Sequence, residues 1–295
     1  MARITWGTIT KEMDEALNVC RSMGLAHAAE ETFNSDRIGH HVALAESATF
    51  GGLAPFLQTQ EPKALRPKVE RVLIGPLLPR DEDENSSHGR NILFELQLAA
   101  QFASAGLTPV LGEHPDLHVE VDGHRLLIEC KRPASLAGAR KAITKARDQL
   151  LKHLKKAPVG SRGVIALSVT KLMNPGDLLF RYSGDASGKE ALAAEIERHR
   201  ERLADSWTDG LHGKITGMMW HVITPAVDES VPIPTVAQNM TCMVTRSCRP
   251  YSIASKRWTA EALAKLPGGG LCGGFFFWSS SSQGVPVSKL LRANL

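Results

Sequence analysis

The sequence predicts an α/β protein with a mixed central sheet flanked by helices, and three observations carry that expectation. Apolar and polar residues alternate in two runs on either side of Asp122-Gly123. Longer segments before and after them repeat their apolar residues at helical spacing, and the two kinds of segment interleave over residues 86–172 in the order α-β-β-β-α-β. The 295 residues have room for one large domain or two small ones, and 43% hydrophobic with 22% charged residues is ordinary for a soluble protein with a real core. No apolar run approaches the roughly 20 residues of a bilayer span, and residues 1–6 carry no apolar leader segment. The five cysteines (Cys20, Cys130, Cys242, Cys248 and Cys272) are odd in number and lack CxxC spacing. The expectation is a cytoplasmic protein with no membrane partner, disulfide framework or zinc site.

Taken in order, residues 1–85 read as a mainly helical N-terminal extension. Met13, Leu17, Cys20 and Met23 fall near one face of a helix over 10–33, which Thr10 can cap. Prolines at 55, 62, 67, 76 and 79 then weaken the pattern, and the run Asp81-Glu82-Asp83-Glu84 reads as a solvated acidic loop and a boundary. Asn85 to Ser87 offer caps for a helix that ends near Ala105, where Gly106 stops it. Strands over 108–111, 114–121 and 126–131, a helix over 139–154 and a strand over 164–170 complete the core. Residues 173–295 read as a mixed α/β extension packed on that core. It holds a charged helix over 188–206, a strand near 214–224, and a glycine-rich turn over 268–274 ahead of the aromatic run 275–278.

Asp122-Gly123 is a two-residue hairpin signal, because a type I′ turn needs positive φ at both central positions. That turn fixes the register: Val121 faces His124, Val119 faces Leu126, Leu117 faces Ile128, and Asp116 faces Glu129. Leu117, Val119, Val121, Leu126, Ile128 and Cys130 then share a core face, while Asp116, His118, Glu120, Arg125, Leu127, Glu129 and Lys131 share the other. Two carboxylates directly opposite one another, with Cβ atoms about 4.5–5.5 Å apart, repel unless something positive lies between them. A divalent cation resolves the conflict, and so does Lys131 acting in a structural ion cluster; the residues alone leave both open. One slip of register abolishes the arrangement.

Charge is unevenly spread. The net charge is +4, yet residues 131–162 hold ten Lys/Arg against the single acid Asp148. A basic block in an otherwise slightly acidic chain fits a polyanion-binding face, and also an ordinary solvated helix.

Pro115-Asp116, twelve intervening residues and Glu129-Cys130-Lys131 together resemble the PD-(D/E)xK signature of the restriction-endonuclease-like nuclease superfamily. The element order over residues 88–172 resembles that superfamily's core. The resemblance implies a mixed central sheet flanked by helices and Mg²⁺-dependent hydrolysis of phosphodiesters, with Mn²⁺ able to substitute. It implies that Asp116, Glu129 and the Cys130 carbonyl hold the metal, and that Lys131 assists the attacking water. Glu95, within Ile92-Leu93-Phe94-Glu95-Leu96, resembles the family's additional acidic residue on the preceding helix, which implies that it ligates metal through water or binds a second ion. Gln149 matches the glutamine of a Gln-x-x-x-Tyr branch, but His153 stands in place of the tyrosine. Arg132, Arg140, Lys141, Lys145, Gln149 and Lys152 are then expected to bind nucleic acid.

The expected activity is that of a DNA endonuclease in restriction or anti-phage defence, possible as a homodimer since duplex cutting needs two sites. RNA as substrate, or a silent nucleic-acid-binding module on the same fold, are the alternatives. Other features carry little. Gly184 to Glu190 is one residue short of a phosphate loop and ends in Glu. His40-His41 has no spaced partner, Cys242 and Cys248 read as free thiols, and most of Trp207, Trp220, Trp258 and Trp278 read as core.

Overall fold

The computed structural model describes residues 53–74, 82, 88–113, 115–175, 178–207, 211–229, 233–244, 258–259, 263 and 285–286. The helix expected over 10–33, His40-His41, the caps at 85–87, the 268–278 stretch with Trp278, and Cys20, Cys248 and Cys272 lie outside them.

Two helices come first, α1 (Ala54–Gln58) and α2 (Pro62–Ile74). Prolines suit both starts, since a missing N–H costs nothing in a first turn; Pro67, by contrast, sits inside α2. Helix α3 (His88–Ser104) follows and ends as expected. Gly106 adopts φ 77°, and Leu107 N–H returns to the Phe102 carbonyl to close the last turn. Gly89 has a structural reason to lack a side chain: a Cβ there would lie 2.9 Å from the Arg71 carbonyl, so α3 abuts α2.

Strands β1 (Pro109–Leu111), β2 (Leu117–Val121) and β3 (His124–Lys131) form an antiparallel meander. Asp122 and Gly123 have φ 51° and 78°, as the type I′ turn requires, and the pairs Leu117 with Ile128, Val119 with Leu126 and Val121 with His124 are those expected. One expectation fails at its end. The ladder stops at Leu117, so Asp116 is not a strand residue facing Glu129 but the last residue before β2.

Helix α4 (Leu136–Leu154) begins three residues earlier than predicted because Ser135 caps it, accepting the Gly138 N–H at 3.0 Å. It crosses over to β4 (Arg162–Ser168), which runs parallel to β3. A short helix α5 (Thr170–Met173), β5 (Phe180–Tyr182), α6 (Asp185–Arg202), α7 (Ala204–Trp207), β6 (Ile215–Asp228), β7 (Ile233–Val244) and β8 (Val285–Pro286) complete the described elements. The single helix expected over 188–206 is thus two.

The main sheet order is β1-β2-β3-β4-β6-β7-β8, with β5 beside β6. Beyond residue 172, β5, β6, β7 and β8 extend the same sheet, because β6 pairs with β4 in parallel and with β7 antiparallel.

Packing follows the alternation. One face of the sheet, Leu117, Val119, Val121, Leu126, Ile128 and Cys130 included, meets Phe94, Leu98 and Phe102 of α3. The other face, through Leu127, Ile165, Leu167 and Trp220, meets Ile143 and Leu150 of α4, Leu192 and Ile196 of α6, and Trp207. Helices α1 and α2 pack behind α3 through Leu53, Phe56 and Leu65 against Ile92, Leu96 and Ala99. Trp207 and Trp220 are core, as expected, while Trp258 donates its indole N–H to the Val121 carbonyl at 3.0 Å and packs against His124 beside the hairpin turn. The stretch from Gly184 to Glu190 is the start of α6, as expected. Among the described residues no helix is long and apolar enough to cross a membrane.

Gly123→Ala tests the turn. Nothing lies within 4 Å of a Cβ placed there, so the cost comes from φ alone. Urea unfolding should show a loss of about 1–2 kcal/mol, and unchanged stability would rule out the left-handed turn.

Candidate active site

The strands β3, β4 and β6 run parallel; β3 and β4 end side by side, and the end of β4 lies against the middle of the longer β6. Lys131 is level with Leu167, and Ser168 with His221. Antiparallel β2 starts at that same edge, which brings Asp116 there. Open α/β sheets bind ligands in the crevice outside their strands' carboxyl ends. The candidate residues gather at that edge for a plain topological reason.

Each is held. Asp116 is buried, and its Oδ2 accepts the Cys130 N–H at 2.6 Å, which ties the start of β2 to the end of β3 beyond their ladder. Glu129 is fully buried, and Lys131 Nζ donates to its Oε1 at 2.6 Å. Glu95 projects from α3 with its side chain 13% exposed, and accepts from Lys68 Nζ of α2 at 2.7 Å. Burial, and then the charge of Asp116, push the Glu95 carboxyl up to about 7, against the opposing effect of Lys68 and Lys131. The Cys130 thiol is within electrostatic reach of all four groups. Burial raises it well above the usual thiol range, the charges of Asp116, Glu95 and Glu129 add to that, and Lys131 acts against them. Asp116, Glu129, Lys131 and Glu95, named from the sequence, therefore share one electrostatic neighbourhood.

Among the described residues no three His, Cys, Asp or Glu side chains form a group that can hold a metal ion. Mg²⁺, however, is commonly bound by one or two carboxylates, with waters and substrate phosphate oxygens filling the rest. Asp116, Glu129 and the Cys130 carbonyl offer hard oxygen donors of that kind. The residues fit a Mg²⁺ ion by chemistry.

The basic residues divide into two sets. Arg140, Lys141, Lys145, Gln149 and Lys152 line a groove of about 780 Å³ along α4, closed on one side by Asp205 and Ser206. Lys141, Lys145 and Lys152 are exposed, whereas Arg140 donates to the Arg202 carbonyl at 3.1 Å. The groove's lining does not include the carboxylates. Arg132 is not on it either. Its guanidinium, with the side chain 7% exposed, donates to Glu82 Oε1 at 2.6 Å. That corrects a second expectation: Glu82 does not belong to a solvated acidic loop but is buried, bonded to Arg132 and to Lys171 and 4.0 Å from Arg90.

Sequence reasoning missed Lys68, Glu82, Arg90 and Lys171. Lys68 is one of several cations on α2, and Glu82 one of four consecutive acids, so no pattern marks either. His221 was missed too. It is fully buried on β6, stacks on Phe94 at 4.9 Å and bonds Gln238 at 2.8 Å. Burial, and then the charge of Arg132, push it down to about 3, so it is neutral.

Comparisons with protein-family models, with curated proteins and with solved structures find no match.

The raised Glu95 carboxyl makes a prediction about pH. Between roughly 4.5 and 7 the folded chain binds a proton there that the unfolded chain has released, so this group lowers stability as pH rises through that window. In metal-free buffer Glu95→Gln should unfold at a higher temperature than the unaltered chain at pH 8. At pH 4 the two should nearly coincide. A difference independent of pH would mean that Glu95 ionises normally.

Proposed function

We propose that this protein is a Mg²⁺-dependent nuclease acting on DNA, with Asp116, Glu129, Lys131 and Glu95 as its site. The observation that carries the reading is that Asp116, bonded to the Cys130 N–H, and the Glu129–Lys131 pair sit together at the carboxyl end of β3, within electrostatic reach of Glu95. A core fold needs no such gathering of like charge, and each buried carboxylate costs stability unless it is paired. The resemblance of Pro115-Asp116 and Glu129-Cys130-Lys131 to the PD-(D/E)xK signature supports the same chemistry.

Mg²⁺ bound by Asp116 and Glu129 supplies a polarised phosphate and a water of lowered pKa. The protein's own part is positional. The Cys130 N–H holds the Asp116 carboxylate in a fixed direction. Lys131, already bonded to Glu129, keeps a positive charge where the phosphate gains negative charge, and partial burial strengthens its effect. Glu95, with a carboxyl near 7, takes or releases a proton at neutral pH. The groove along α4 offers Lys141, Lys145 and Lys152 to backbone phosphates, beside a site that itself reads no sequence. Endonucleolytic cutting, service in restriction or anti-phage defence, and a homodimer for duplex cleavage belong to the proposal.

A second reading is a nucleic-acid-binding module without turnover. It is favoured by the satisfaction of the carboxylates from within, Glu129 by Lys131 and Glu95 by Lys68.

Purified protein incubated with supercoiled plasmid, linear duplex, single-stranded DNA and RNA, in Mg²⁺, Mn²⁺ or EDTA, decides between them. Asp116→Asn is the control of choice, because its amide oxygen still accepts the Cys130 N–H while the charge is gone. Cleavage should need metal and fall at least about a hundredfold in Asp116→Asn, the scale on which one lost electrostatic group acts. A folded protein that binds DNA and never cuts it supports the second reading.

Charge reversal at Lys141 and Lys145 should weaken DNA binding and flatten its salt dependence by roughly two counterions. An unchanged salt slope returns the helix to an ordinary solvated face.

A further inference from the structure

Glu82 is a buried carboxylate held by three cations. Its side chain is wholly buried; Oε1 accepts from Arg132 at 2.6 Å, Oε2 lies 3.2 Å from Lys171 Nζ, and the same Nζ donates to the Glu82 carbonyl at 2.7 Å. Arg90, on the first turn of α3, stands 4.0 Å from Oε2. The three cations come from three separate elements, and all are nearly buried, with side chains 7–11% exposed.

Their supports belong to the sheet. Arg132 follows Lys131 at the end of β3. Lys171 sits on α5, which is fixed at the end of β4 by the Val169 N–H on the His221 carbonyl and by Thr170, whose hydroxyl accepts both the Ile223 N–H and the Ser168 hydroxyl at 3.0 Å. Arg132 and Lys171 are therefore preorganised by β3, β4 and β6 and Arg90 by α3, whereas the acid they hold comes from the chain ahead of α3.

We propose that Arg90, Arg132 and Lys171 form a binding site for a phosphate group, and that the Glu82 carboxylate is its internal occupant. A carboxylate with its two oxygens divided between a guanidinium and an ammonium imitates two oxygens of a phosphate. Phosphate carries more charge than Glu82 and a third oxygen, which matches the third cation. Arg132 follows Lys131 in the chain, at the same end of β3. The site stands whether or not the carboxylates hydrolyse phosphodiesters, and its test reads binding alone.

Inorganic phosphate is titrated into the full chain and into Glu82→Gln, with chloride at equal ionic strength as control, and binding is read by calorimetry and by the shift of the unfolding temperature. Glu82→Gln should bind phosphate at least about tenfold more tightly than the unaltered chain, the worth of one charge-assisted hydrogen bond. Adding Arg132→Met should remove the response. Equal binding by Glu82→Gln and the unaltered chain, or a response that survives Arg132→Met, overturns the proposal and makes Glu82 part of a structural ion network.

If Glu82→Gln does not fold, phosphate binding by the unaltered chain is compared with that by Lys171→Met: loss in the variant supports the site, and equal binding overturns it. Short oligonucleotides with and without a 5′-phosphate then identify the source. Preference for the phosphorylated end points to a strand terminus, and equal competition to free phosphate.

Discussion

Strand β3 is covered on both faces, by α3 through Leu126, Ile128 and Cys130 and by α4 through Leu127, so its charge has nowhere to go but the ends. Arg125 takes the hairpin end, where it meets Glu120 in the open. Glu129 and Lys131 take the other end, and there Glu129 is fully buried. A buried carboxylate survives only with a partner, and Lys131, two residues along the same strand, points the same way and supplies one. Once that pair exists, everything near it must respect its field. Asp116 is held by the Cys130 amide, and Glu95 is driven toward its neutral form.

The edge is then a set of matched charges drawn from distant parts of the chain. Lys68 reaches Glu95 from α2, Lys131 reaches Glu129 along β3, and Arg132 and Lys171 reach Glu82. The outer helices α1 and α2, which look like an appendage in the sequence, are tied to the site through Lys68 as well as through the apolar contacts of Leu65.

What was legible in the sequence was what local rules determine. Asp122-Gly123 allows one tight turn, and alternation then gives the register and both faces of β2 and β3 from the residues alone. The helix end at Gly106 and the core status of Trp207 and Trp220 follow from equally local chemistry. Illegible were the facts that need the third dimension. Asp116 is one residue past the last ladder pair, and a side chain bound to an amide leaves no trace in a pattern. Glu82 among Asp81, Asp83 and Glu84 looks like any solvated acid. Arg132, counted with the basic block, faces away from it. Residue 172 is where the resemblance to the nuclease core ends, but the sheet continues past it through β6 and β7.

The strand order also bears on how the chain is assembled. The β2–β3 hairpin closes over two residues and gathers Asp116, Glu129 and Lys131 by local pairing alone. Strand β4 is buried on both sides, yet its second neighbour, β6, begins only at Ile215, after α5, β5, α6 and α7. Long loops close late. During synthesis, therefore, the acidic edge exists before the sheet that supports it is whole, and β4 waits with one row of peptide groups open to any passing strand. The vulnerable moment for this protein is the interval between Ser168 and Ile215.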